Sequence, residues 1–176
     1  MYLDAQGEPV PGLSIDGPLA AGIPGQPAAL AHLAEHYGRL PLHVSLASAI
    51  HLARQGFAVD SHYRRMAGFR LEALRSSPAA AAVFLHEGKV PELGHVIQQT
   101  ELANTLHAMA QFGHGGFYAG PVAESLVQEV TAAGGIWSMA DLMSYRVEER
   151  IPVMGTYKGA KIVSAAPPSS GGVVLL

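Results

Sequence analysis

The chain has 176 residues, of which 49% are hydrophobic and 14% charged, with a formal net charge of −3. That length supports one hydrophobic core and falls short of two, and its eleven lysines and arginines are scattered, which excludes the clustered cations that nucleic-acid binding needs. Cysteine is absent, so disulfides, thiolate zinc sites and a cysteine nucleophile are excluded, and no apolar run reaches the ~20 residues that span a bilayer.

Charged residues usually make up about a quarter of a chain. The low share here implies either a compact molecule or a surface partly covered by more protein. Met1 to Gly7 has neither a basic start nor an apolar stretch and is not a signal peptide. Residues 1–18 read as loop. Leu19 to Ile23 reads as a short buried strand, broken by Pro24-Gly25. Gln26 to Tyr37 is helical, with Leu30, Leu33 and Ala34 on its apolar face and Gly38 at the left-handed capping position. His43 to Gln55 is a second helix, ended by Gly56.

Ser61 to Ser76 predicts one helix with a basic solvated side. Pro78 opens an alanine-rich piece, Val83-Phe84-Leu85 suggests a strand, and Glu87-Gly88 a turn. Gln99 to Phe112 is helical, Gly113 to Gly116 is a loop, and Tyr118 to Ala133 is a helix entered through Pro121 and closed by Gly134-Gly135. Ser138 and Asp141 have the spacing of a capping box for a short helix reaching Ser144. The period then changes. Arg146 to Thr156 and Ala160 to Ala165 predict a hairpin turning at Tyr157-Lys158-Gly159, followed by Pro167-Pro168-Ser169-Ser170-Gly171-Gly172. The closing run Gly172 to Leu176 is apolar and uncapped, so the expectation is one partial domain over residues 1–176, cut through an element.

Four patterns invite a chemical reading. His32-Leu33-Ala34-Glu35-His36 matches the H-x-x-E-H of inverted zinc peptidases, with the two imidazoles one turn apart. Nine histidines make such a match common by chance, and no third ligand is evident, so no metal site is expected. His107 and His114 flank the glycine-rich loop, which is not G-x-G-x-x-G and follows a helix, so a tight turn is preferred to a dinucleotide site. Thr100, Thr105, Thr131 and Thr156 all lie inside predicted elements, whereas an amino-terminal threonine nucleophile needs a free α-amine made by cleavage. No catalytic residue and no cofactor is therefore assigned. Ser169, Ser170, Gly171 and Gly172 form a strand-to-helix turn that supports two readings. It is a pocket wall offering hydroxyls and N–H groups to substrate, or it is Ser170 capping with glycines for close packing.

Several stretches, taken in order, resemble one family. Ile23-Pro24-Gly25 with Tyr37-Gly38 looks like a G-x-P-G…YG region. Ala49-Ile50, Leu52-Ala53-Arg54 and Gly56-Phe57 resemble PA-x-x-LA-x-x-GF, and Leu102-Ala103 with Leu106 continues the match. Phe117-Tyr118-Ala119-Gly120 with Ala123 is similar to FY-x-G-x-x-A. Gly134-Gly135, Asp141-Leu142 and Tyr145 resemble GG-x-x-x-x-x-DL-x-x-Y, and Pro167 to Gly172 is the most specific piece. The family is the γ-glutamyltransferases, also called γ-glutamyltranspeptidases or glutathione hydrolases. Ser48 departs from it, standing where the family has proline before Ala49, a change expected to alter a helix start.

The resemblance implies an internal segment of the large-subunit region of a self-cleaving precursor. It implies a helix-rich α+β portion of the αββα sandwich of N-terminal-nucleophile hydrolases. The small subunit would carry the threonine that attacks a γ-glutamyl amide such as glutathione, passing the acyl group to water or an amino acid. Its implied partners are the rest of that precursor and the small-molecule substrate, with neither nucleic acid nor a membrane span, and its implied location is periplasmic or secreted. None of the family's catalytic residues maps onto this chain, and the segment alone is expected to be inactive. A cephalosporin or glutaryl acylase-like member is the rival within the superfamily, and a non-catalytic helical interaction module is the rival of another class.

Overall fold

The computed structural model describes residues 1–175. It is helix-rich α+β, with ten α-helices and four short strands among the described residues, in two compact units, Met1–Tyr145 and the chain from Arg146. No described helix is long and apolar enough to cross a membrane.

In the first unit, the predicted strand over Leu19 to Ile23 does not form. Pro18–Ala20 makes a 3-10 turn instead. Its carbonyls are satisfied by side chains rather than by a ladder, because the Tyr2 hydroxyl donates to the Leu19 carbonyl (2.8 Å) and Trp137 Nε1–H to that of Ala21 (3.0 Å). Helix α1 (Gln26–His36) buries Ala28 and Ala31, while Leu30 and Leu33 lie exposed. The expected leucine face is thus the uncovered one. Gly38 does not take the left-handed conformation. It instead lies so close to the last turn of α1 that a Cβ there would come within 2.5 Å of the Ala34 carbonyl.

Helix α2 (Leu42–Gln55) and helix α6 (Thr100–Phe112) pack together, burying Leu46 and Ala53 from one and Ala103 and Met109 from the other. Alanines at this seam let the backbones approach closely. Ser48 falls in the interior of α2, not at its start, where proline would lack a backbone donor. Gly56 ends α2 at φ 84, and β1 (Phe57–Ala58) then pairs antiparallel with β2 (Val96–Ile97), which leads into α6. The Gln99 N–H donates to the Ala53 carbonyl (2.8 Å), so the two helices are tied at the ladder end as well as along their faces.

The helix expected over Ser61 to Ser76 is two, α3 (Ser61–Phe69) and α4 (Leu71–Ser76). Gly68 weakens the run, and the Arg70 N–H falls back to the Ala67 carbonyl (3.2 Å), tightening and ending the first piece. Asp60 caps α3 by accepting from the Tyr63 N–H (2.7 Å). Val83-Phe84-Leu85 is not a strand, because Ser77 caps a helix whose first turn holds Pro78 and whose alanines propagate it, α5 (Pro78–Phe84). Glu87 and Gly88, at φ 50 and 70, make the expected turn.

Helix α7 (Gly115–Tyr118) crosses α6 so closely that a Cβ on Gly116 would strike the Ala108 carbonyl and come within 2.7 Å of the Met109 nitrogen. The glycine-rich loop therefore serves helix packing. Helix α8 (Gly120–Ala132) follows, then α9 (Met139–Ser144).

Tyr118, 1% exposed, is the centre of this unit. Its hydroxyl accepts from the Ala28 N–H at 3.1 Å and donates to the Pro24 carbonyl. Its ring stacks on His114 (centroids 4.3 Å) and on Tyr145 (5.4 Å, planes 5° apart), with Phe117 edge-on at 4.9 Å. Burial holds the phenol's pKa above the usual tyrosine value. The Ala28 N–H partly opposes that rise and the neighbouring Tyr145 adds to it.

In the second unit, β3 (Val153–Tyr157) and β4 (Ala160–Ser164) form the predicted hairpin, with Lys158 and Gly159 at φ 49 and 81. Arg146 to Pro152 stays outside the ladder, since Pro152 has no N–H to contribute. Helix α10 (Gly171–Leu175) follows, and Leu176 of the closing apolar run lies outside the described residues.

The capping box at α9 is formed as read. Asp141 accepts from the Ser138 N–H (2.8 Å) and hydroxyl (2.7 Å), and Ser138 Oγ accepts from the Asp141 N–H (3.2 Å). These bonds from the Ser138 side chain and backbone hold the Asp141 carboxyl below its ordinary value. A depressed folded-state pKa stabilises above the unfolded value near 3.9 and loses that contribution as pH falls through the folded one. Exchange protection of the Ser138 amide should therefore fall as pH drops below about 4, and Asp141→Asn should abolish that pH dependence. A wild-type amide whose protection does not change across that range would contradict the assignment.

Candidate functional site

Ser169, Ser170, Gly171 and Gly172 lie in one turn of the second unit, between β4 and α10. The Ser169 N–H donates to the Ala166 carbonyl (3.2 Å), closing a turn over the two prolines. The Ser170 carbonyl accepts the Val174 N–H (3.1 Å), the first helical bond of α10. Ser170 is thus the helix entry through its backbone, and neither serine hydroxyl makes a hydrogen bond within the described residues. Both side chains are exposed and able to donate or accept.

Gly172 is buried against the hairpin. A Cβ there would come within 2.6 Å of both the Ala165 carbonyl and Val153 Cγ2. The turn therefore divides its roles. Gly172 seats the helix on the strands, while Ser169 and Ser170 present free hydroxyls. The turn contains no carboxylate or imidazole to activate those hydroxyls, so it can bind or orient a ligand but holds no nucleophile–base pair.

The other sequence candidates are dispersed. His32 and His36 stack face to face at 4.2 Å on α1, so their in-plane nitrogens do not converge, and no group of three metal-ligating side chains occurs among the described residues. His107 borders a groove between α2 and α6, whereas His114 packs on Tyr118 with Nε2 3.0 Å from the Tyr145 carbonyl. They are not a pair. Thr105 bonds the Glu101 carbonyl (3.0 Å) and Thr131 that of Trp137 (3.5 Å), both as local supports.

The α2–α6 groove was not anticipated, because its lining comes from two helices some fifty residues apart in the chain. It has a volume of about 1030 Å³ and includes His43, His51, Arg54 and His107. A sequence signal was present in the i, i+8 spacing of His43 and His51 on one helix face.

Comparison with known proteins supplies the context. The family model described as "Gamma-glutamyltranspeptidase" matches residues 1–176. A glutathione hydrolase proenzyme of Escherichia coli (strain K12) is 36% identical over 174 residues, covering 98% of this chain and 30% of that protein. The crystal structure of Helicobacter pylori gamma-glutamyltranspeptidase superposes with a TM-score of 0.96 at 38% identity, over 99% of this chain and 50% of the other. An acylase ACY 1 proenzyme of Pseudomonas sp. (strain SE83) also aligns, at 33% identity over 91% of this chain and 29% of that protein. The chain thus spans about a third of the length of the curated relatives it matches.

The division of roles within the turn is testable by substitution. Gly172→Ala should destabilise the β3–β4–α10 packing by about 1–3 kcal/mol through overpacking, read as faster amide exchange in β4. Ser169→Ala and Ser170→Ala should leave exchange there unchanged. Equal loosening by the serine variants would make the turn purely structural.

Proposed function

We infer the function from one premise, that the chain belongs to the gamma-glutamyltranspeptidase family. It is the segment of a self-processing γ-glutamyltransferase, or glutathione hydrolase, that supports the catalytic sandwich and contributes one wall near the substrate. The match of the family model across the whole chain carries this reading. In the reaction, the threonine exposed by cleavage of the precursor attacks the γ-amide carbonyl, with its own α-amine as base. The amine leaves, a γ-glutamyl ester forms, and water or an amino acid takes the acyl group. This chain supplies neither the threonine nor its amine. Its contribution is position, with Ser169 and Ser170 offering hydroxyls in a turn that Gly172 lets pack closely on the hairpin. The precursor is periplasmic or secreted, and its remainder is this chain's partner.

The exposed apolar surface supports that partnership. The accessible surface is 11993 Å², against roughly 9,400 Å² for two separate compact globules of these lengths. Within the first unit, Leu52 is 62%, Phe69 76% and Phe112 70% exposed, apolar surface available to more protein. A second reading, an acylase-like precursor with the same nucleophile chemistry and another acyl group, rests on the alignment with the acylase proenzyme.

The test is turnover of a chromogenic γ-glutamyl anilide by the whole precursor and by this chain alone. The precursor should split itself and release the aniline, and the chain alone should match the blank. Turnover by the chain alone would overturn the assignment, and a precursor that cleaves a glutaryl anilide while sparing the γ-glutamyl one would transfer it to the acylase reading.

A further inference from the structure

The groove between α2 and α6 combines two features that the support role does not use. It is lined on one side by His43, His51 and Arg54 and on the other by His107, with Ile50 and Phe112 as apolar floor and lip. None of these four polar side chains has a hydrogen-bond or ion-pair partner among the described residues. Arg64, Arg70 and Arg75, by contrast, are each paired with a carboxylate, to Glu92, Asp16 and Glu72. Helix α2 contains no acidic residue, and α6 has only Glu101, in its first turn and outside the groove. The groove therefore presents one guanidinium with five N–H donors and three imidazoles with at least one each, and no carboxylate to meet them. Phe112, 70% exposed at its edge, adds an apolar anchor point.

We propose that this groove docks an acidic, amphipathic segment of the precursor's own remainder, with carboxylates on Arg54 and the histidines and an apolar side chain against Ile50 and Phe112. Charge complementarity selects the acidic character, since donors without an internal acceptor gain most from carboxylates. A groove of about 1030 Å³ along two helices accommodates a stretch of polypeptide. The source follows from the precursor reading above, on which the proposal rests: the curated relatives carry more than twice as much chain outside the matched segment as within it.

The experiment places a photo-crosslinking phenylalanine analogue at position 111, the exposed Gln111 on the groove's rim, in the whole precursor, with a separate control bearing it at the exposed Glu87 of the turn between His86 and Lys89. Mass spectrometry then identifies the joined peptide, and the same sample is assayed with the γ-glutamyl anilide. The expected result is an intramolecular crosslink from position 111, absent from position 87, to a peptide outside residues 1–176 bearing at least two Asp or Glu. Its yield should fall several-fold with Arg54→Glu and survive Arg54→Lys. Crosslinks confined to residues 1–176, to a peptide without carboxylates, or only to a separate protein would overturn the proposal. If Arg54→Glu fails to fold, the identity of the wild-type crosslinked peptide decides alone. A precursor that turns over without crosslinking sinks the docking and spares the enzyme reading, and one that crosslinks without turnover does the reverse.

Discussion

The first unit depends on the two hydrogen bonds of one buried phenol. A tyrosine hydroxyl cannot be taken out of water without partners except at a cost of a few kcal/mol. Tyr118 finds both of its partners at one place, the entry of α1, where the Pro24 carbonyl and the Ala28 N–H face it. These groups lie 90 or more residues away in the chain, so the pairing closes a long loop that many other contacts must help to stabilise. The ring supplies some of them, carrying His114 and Tyr145 on its faces and Phe117 at its edge. Tyr145 in turn lies across Gly25, where any Cβ would strike its hydroxyl. Three stretches that carry the family resemblance, around Pro24-Gly25, Phe117-Tyr118 and Tyr145, thus meet around one ring.

That convergence explains what could and could not be read from sequence. The helices over Gln26–His36, Leu42–Gln55 and Thr100–Phe112, the capping box at Ser138 and the hairpin at Lys158-Gly159 follow from local signals: period, caps and turn residues. The errors arose where tertiary demands prevailed. Leu19 to Ile23 looks like a strand, but its carbonyls are taken by Tyr2 and Trp137, which no local pattern announces. The leucine stripe of α1 looks like the buried face, yet the alanine face is the one seated against Tyr118. Gly113 and His114 make the tight helix-to-helix turn expected there, but Gly115 and Gly116 fall inside α7, where Gly116 lets two helices touch. In the candidate turn, Ser169 to Gly172 showed both of its readings in the sequence, and the structure assigns packing to Gly172 and leaves free hydroxyls to the serines.

The same alanine-for-leucine inversion bears on function. A helix that buries its small residues and exposes Leu33 has its larger apolar face available to something else. Leu52 on α2, Phe69 at the end of α3 and Phe112 at the end of α6 repeat the pattern. Tyr118 makes a rigid frame of helices, and the frame presents apolar faces and an acid-free groove outward. This arrangement fits the supporting role proposed above, in which more protein covers those faces.

The most direct measurement is native-state amide exchange on the wild-type chain and on Tyr118→Phe, following the amides of Ala28 and Tyr145. If the phenol ties the unit together, removing one oxygen strands both the Ala28 N–H and the Pro24 carbonyl. The two amides should then lose protection together, and global stability should fall by about 1–3 kcal/mol. Loss of protection at Ala28 alone, with Tyr145 and global stability unchanged, would reduce the bond to a local cap and contradict the account.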